Sequence, residues 1–228
     1  LFFIAITMQA RRIARELALL SVSQLPANAQ NLDKQTLQNV VVAAVRTLTT
    51  EAEEALETAS SELKQGNDRL LSSQTRTTDV ESARSMVTEA IDLTQTAINR
   101  LGIAMEIPEM VQLANQTDVR HYALEIVGTL KQNREEIDAI LTQALVDWQL
   151  SRLATIDRDI LRIAVTEIHY LAVPDRIAVN EAIELSKRYS GEENYRFING
   201  VLRRVIDGMK AKASKQKEHN EQELNQAE

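Results

Sequence analysis

The chain has 228 residues, 44% hydrophobic, 26% charged and only 4% aromatic, with a net charge of −7. Six glycines and three prolines leave little turn material, and plentiful Ala, Leu, Glu and Gln beside few aromatics point to an all-α fold. The absence of cysteine excludes disulfides and thiolate zinc sites, and it fits a reducing, cytoplasmic setting.

The chain opens with the apolar run LFFIAIT, which is too short to span a bilayer and lacks the basic flank of a signal peptide. Residues 1–8 are therefore expected to be an upstream extension, with Met8 the start of the working protein. From Gln9 to Gln24, Ile13, Ala14, Leu17, Ala18 and Leu20 fall on one helical stripe, which leaves Arg11, Arg12 and Arg15 to splay toward solvent. The helix should stop before Pro26, which holds its predecessor extended, and a polar loop, PANAQNLDKQ, follows.

Residues 37–110 carry two long amphipathic runs. Leu37, Val41, Ala44, Leu48, Ala52, Ala55, Ala59 and Leu63 step by three or four, and so do Val80, Ala83, Val87, Ala90, Thr94, Ile98 and Leu101. With Gly66, Asn67 and Asp68 as the loop between them, the pattern predicts an antiparallel helical hairpin closed by an Ala-rich seam. Pro108 should mark its far end. The segment holds 12 acidic and 6 basic side chains, a local charge of −6.

Denser apolar faces follow. Val119, Tyr122, Ala123, Ile126, Val127 and Leu130 make one predicted helix, and Ile137, Ile140, Leu141, Ala144, Leu145 and Trp148 another. From Ile156 the chain reads IDRDILRIAVTEIHYLAVPDRIAVNEAIELSKRYSGEENYRFINGVLRRV, three amphipathic helices broken by Pro174 and by Ser190-Gly191. Residues 208–228 have almost no apolar side chains and are expected to be a disordered polar tail.

No catalytic constellation is present in the sequence. His121, His169 and His219 have no second ligand at helical spacing, Glu167 and His169 face different directions, and neither a Gly-rich phosphate loop nor a GxSxG elbow occurs. A non-catalytic protein without metal or cofactor is expected, with His121 and His169 as partly buried structural groups.

The chemistry that does occur suits single-stranded RNA, which is held by cations on phosphates and by aromatic or Arg planes on unpaired bases. Arg11, Arg12 and Arg15 lie on about one turn of helix. The segment NYRF adds Tyr195, Arg196 and Phe197, and Asn199 can both donate to and accept from a base edge. On composition alone, a core Phe197 and merely solubilising arginines remain the more ordinary reading.

The motifs ARRIARELAL, LATIDRDILRIAVTEI, IAVNEAIELSKRYS and RFINGVLRRV are long, ordered and collinear, and through them the chain resembles the NusB family of bacterial transcription antitermination factors. The resemblance implies two small three-helix bundles spanning residues 9–207, with 37–110 an inserted acidic hairpin. It also implies binding of boxA RNA in ribosomal RNA leader transcripts jointly with ribosomal protein S10, in an assembly with RNA polymerase and other Nus factors. By position, Arg11, Arg12 and Arg15 match the family's arginine-rich first helix, and Glu193, Arg196, Phe197 and Asn199 match the segment bordering the RNA. Arg152 and Asp157 fall where the family meets S10. The hairpin should point away from the RNA, or dock a protein partner such as polymerase. Two other readings stand beside this one: a helical adaptor for S10 or ribosome assembly without RNA contact, and the related front domain of ribosomal RNA cytosine methyltransferases, whose Gly-rich nucleotide-binding turn is not found in this sequence.

Overall fold

The computed structural model describes residues 2–24, 34–76, 79–191 and 193–226. The polar loop that follows Pro26 lies largely outside the described residues. All regular structure among them is helical: α1 (Phe2–Gln24), α2 (Lys34–Thr75), α3 (Val80–Ala114), α4 (Thr117–Gln132), α5 (Arg134–Ala144), a single 3-10 turn at Leu150–Arg152, α6 (Thr155–His169), α7 (Asp175–Tyr189) and α8 (Asn194–Gln226). None of these helices is long and apolar enough to cross a membrane. The chain divides into two compact units, one of Leu1–Val41 with Thr117–Glu228 and one of Val42–Gln116.

The first unit is organised around α6, which packs against α1, α4, α5, α7 and α8. A helix touched from so many sides must be apolar almost all round. Ile160, Leu161, Ile163, Ala164 and Val165 are all buried, and they join Leu19, Ile126, Leu130, Ile137, Leu141, Ile198 and Leu202 in one continuous core. Asp157, Asp159, Arg162, Thr166 and Glu167 of α6 are buried as well, and each finds a partner. Arg162 donates to Asp138 Oδ1 and Oδ2 at 2.7 and 2.9 Å and to Asp159 Oδ1 at 2.9 Å.

Two helix ends in this unit differ from the sequence pattern. α5 stops at Ala144, so Trp148 lies in the following loop, 57% exposed, with its ring edge-on to Phe197 at 5.9 Å. The helix cannot continue because Leu145 is already extended, at φ −80° and ψ 121°. The expected disordered tail is instead the continuation of α8, which runs through Gly208 to Gln226. Met209 packs on the core, Lys210 pairs with Asp175 at 3.2 Å and Lys212 donates to Gln143 at 2.9 Å. Ala, Lys, Gln and Glu, which compose this stretch, are strong helix formers even without a core to face.

The second unit is a long antiparallel hairpin of α2 and α3. Its register is fixed by Arg100 donating to Glu62 at 2.8 Å, by Arg69 facing Glu89 at 3.1 Å, and by Gly66 lying against Ala90, Leu93 and Thr94. Ala59 and Ala97 are completely buried and Ala90 nearly so, an alanine seam as the sequence suggests. The turn, however, is not at Gly66–Asp68. The helix continues to Thr75, and Asp79 caps α3 by accepting from the Ser82 N–H at 2.7 Å. Gly66 serves close approach instead, since a Cβ there would sit 3.2 Å from the Ala90 carbonyl oxygen. Pro108 lies inside α3 rather than at its end, between Ile107 and Met110, which are 3% and 6% exposed. Burial on both sides of the proline offsets the hydrogen bond it removes.

Candidate nucleic-acid interface

Three pieces of the first unit converge on one surface: the outer face of α1, the last turn of α7 and the first turn of α8. Ile13 through Leu19 of α1 are all buried, because this helix is packed by both α4 and α6. Of its three arginines, Arg11 and Arg12 stay outside that arc. Lys187 and Arg188 lie in the last turn of α7, where cations complement the partial negative charge of the carbonyl end. Tyr195 and Arg196 open α8.

Contacts link these groups into a chain. Arg12 lies 3.7 Å from Glu184, which accepts from Lys187 at 2.8 Å. Lys187 stands 5.6 Å over the ring of Tyr195, and Arg196 stands 5.8 Å over the same ring. Arg196 in turn reaches Glu193 at 3.5 Å. Tyr195 is thus a half-buried aromatic plane within reach of two cations, with Arg12 reached through one carboxylate. The hydrogen bond from Lys187, aided by the charges of Lys187 and Arg12, outweighs the opposing effect of burial and holds the Glu184 carboxyl below its ordinary range. Arg11 extends the strip on the other side, 4.9 Å over the ring of Tyr122.

Arg15 does not splay toward solvent as the stripe suggested. It is 3% exposed, donates from Nε to both oxygens of Glu167 at 2.8 and 2.9 Å, and lies 3.3 Å from Glu181. Burial opposes its charge, but the hydrogen bond and the charges of Glu167 and Glu181 outweigh it and raise its pKa above the ordinary value. The Tyr122 hydroxyl donates to the same Glu167 carboxylate, and burial, then that carboxylate's charge and hydrogen bond, push the phenol well above its usual range. Arg15, Glu167, Glu181 and Tyr122 therefore form a buried base beneath the surface on which Arg11 and Arg12 stand.

The remaining candidates separate. Glu193 is exposed beside Arg196, while Phe197 is half-buried, packing on the core and on Trp148. Asn199 lines a cleft of about 770 Å³ between α7 and α8, together with Asn180, Arg176, Arg203 and Lys210. Arg152 is exposed on its 3-10 turn. Asp157 is 7% exposed and accepts from Ser190 Oγ at 2.7 Å and Asn194 Nδ2 at 3.4 Å, so it fixes the start of α8 rather than presenting a carboxylate outward. His121 and His169 are both exposed, contrary to expectation, the latter facing Glu136 at 3.7 Å. Among the described residues no group of His, Asp and Glu is placed to hold a metal ion.

Sequence reasoning missed Lys187 as a site residue and missed the carboxylates that organise the arginines. Lys187 had a readable signal, since it sits three residues after Glu184 and in the last turn of its helix. Glu167 had none, because its partner is 152 residues away.

Comparison with known proteins bears on the same residues. The sequence profile of the NusB family matches residues 81–207. The transcription antitermination protein NusB of Microcystis aeruginosa is 60% identical over 199 residues, 87% of this chain and 92% of its own. That of Trichodesmium erythraeum is 58% identical over 197 residues, 86% and 95% of the two chains, and that of Gloeothece citriformis 57% over 205 residues, 90% and 97%. Only 23 of the 228 residues can lie outside the last alignment, so most of Val42–Gln116 is shared with that relative. A solved T. maritima NusB chain is 28% identical, covering 44% of this chain and 75% of its own with a TM-score of 0.39.

Proposed function

The chain belongs to the NusB family of transcription antitermination proteins, and from that premise we propose that it binds boxA-type single-stranded RNA of ribosomal RNA transcripts jointly with ribosomal protein S10. Arg11, Arg12, Lys187 and Arg196 neutralise phosphates, Tyr195 stacks on an unpaired base, and Glu193 and Asn199 border the strand. Arg15 acts from below through Glu167 and Glu181, and Phe197 anchors the start of α8. The exposed Arg152 meets S10, while Asp157 contributes by holding Ser190 and Asn194. The complex then joins RNA polymerase with other Nus factors in the cytoplasm.

The observation that carries this reading is the line from Arg12 through Glu184 and Lys187 to Tyr195 and Arg196. Cations and an aromatic plane are the two devices that unpaired RNA requires, and three helices bring them together here. The net charge of −7 does not oppose it, because −6 resides in residues 37–110 and only −1 in all the rest. Anisotropy of a labelled boxA RNA, titrated with this protein alone and with S10, tests the reading. Binding that tightens with S10 is the expected result. Binding of S10 without any retention of RNA would make the protein a helical adaptor instead.

A further inference from the structure

We propose that the α2–α3 hairpin is a docking surface for a basic amphipathic helix of a partner protein. The inference is independent of RNA binding. It rests on apolar side chains the hairpin seam does not use. On α2, Leu56, Leu63 and Leu70 recur every seven residues, and on α3, Ile91, Ile98 and Met105 do the same. All six are between 41% and 80% exposed, although the seam alanines they border, Ala59, Ala90, Ala97 and Ala104, are buried.

Their placement follows from the register. Ile91, Ile98 and Met105 each come one residue after a buried seam alanine, at Ala90, Ala97 and Ala104. Glu89 comes one residue before Ala90 and pairs with Arg69, which puts the ion pair on the opposite flank of α3 from Ile91. Leu63 and Leu70 stand four residues after Ala59 and Gly66, on the flank those seam positions share with the α3 stripe. The same register that sets Glu62 against Arg100 brings Leu56 level with Met105, Leu63 with Ile98 and Leu70 with Ile91. One face of the hairpin thus carries three apolar rungs over about 21 Å, and its other face carries ion pairs.

A period of seven on both arms fits a third helix supercoiled along them, with its own apolar residues set into the rungs. Charge selects what that helix is. Glu53 and Glu57 flank Leu56 and Asp92 adjoins Ile91, all three exposed. Lys64 beside Leu63 and Arg84 one heptad before Ile91 are exposed basic groups on the same flank, and the segment as a whole sums to −6. A second copy of this chain would set −6 against −6 across the contact. A helix with Leu or Ile at heptad positions and Lys or Arg beside them meets both the apolar rungs and the acidic rim.

The test uses the full chain and two synthetic three-heptad peptides with identical Leu faces, one flanked by Lys and one by Glu. The Lys peptide should bind at least about tenfold more tightly than the Glu peptide. A Leu63→Gln/Ile98→Gln variant should lose about tenfold of that binding while keeping its helical content and its RNA affinity. Glu53→Lys/Glu57→Lys, which leaves the rungs intact, should weaken the Lys peptide alone. Equal binding of both peptides, full binding to the Leu63→Gln/Ile98→Gln variant, or self-association of the chain abolished by those same substitutions would overturn the proposal.

Discussion

The two units are built from the same kind of helix but are held in different ways. Around α6, large side chains such as Leu161, Ile163, Ile198 and Leu202 are buried completely, and the charged groups among them are paired. Between α2 and α3 the contact is made by Ala59, Ala90, Ala97 and Gly66, with ion pairs at its margin about half exposed on the arginine side. Burial of apolar area stabilises roughly in proportion to the area, so an alanine seam contributes far less than a leucine core of equal length. The difference teaches where precision resides. The unit that fixes Tyr195 and its cations is rigidly determined, and the hairpin is a long surface held by little.

The sharpest way to break this contrast is to delete one carboxylate from each unit. Glu167→Ala leaves Arg15 buried without the carboxylate that accepts from its Nε and should cost about 3–5 kcal/mol in urea unfolding. Glu62→Ala removes the hairpin's Arg100 pair, which is half exposed, and should cost no more than about 1 kcal/mol. Equal losses would mean that the two units are not held differently. Hydrogen exchange reads the same contrast without mutation: amides of Glu51–Arg100 should exchange well before those of Ile160–Glu167, which should approach the global limit.

Function sharpens the comparison next. Arg12→Ala/Lys187→Ala should weaken boxA RNA about tenfold and make the salt slope about 1.4 shallower, one phosphate contact being lost with each cation. Glu57→Lys, a charge reversal outside the proposed RNA contacts, should change RNA affinity by less than about twofold at 150 mM salt, where exposed charges are strongly screened. One expected effect is a gain. Glu184→Gln releases Arg12 and Lys187 from a shared carboxylate and should tighten RNA binding about two- to fivefold.

Much of this was legible in the sequence because helical periodicity is local. The stripes of Ile13–Leu20 and Val119–Leu130 and the three helices after Ile156 are written every three or four residues, and they fold as written. What could not be read depends on distant partners. Arg15 sits on the same turn as Arg11 and Arg12, yet α4 and α6 pack over it and Glu167 neutralises it. Gly66 reads as a turn, and only the nearness of Ala90 shows it to be a point of close approach. Pro108 and Gly208 read as stops, but buried neighbours at Ile107 and Met110 and the contact of Met209 carry the helices through. In the candidate site, the residue types were visible and their grouping was not: Tyr195 and Arg196 were adjacent in the chain, whereas Lys187 and Arg12 join them only through Glu184.

The central claim is that four cations, Arg11, Arg12, Lys187 and Arg196, meet RNA phosphates around Tyr195. The measurement that tests it most directly is the salt dependence of boxA RNA affinity in the presence of S10, compared with that of S10 alone. About four phosphate contacts to a single strand correspond to an added slope of roughly −2.8, an affinity falling about fiftyfold between 50 and 200 mM salt. A slope no steeper than that of S10 alone would contradict the account, because RNA would then be held without these cations.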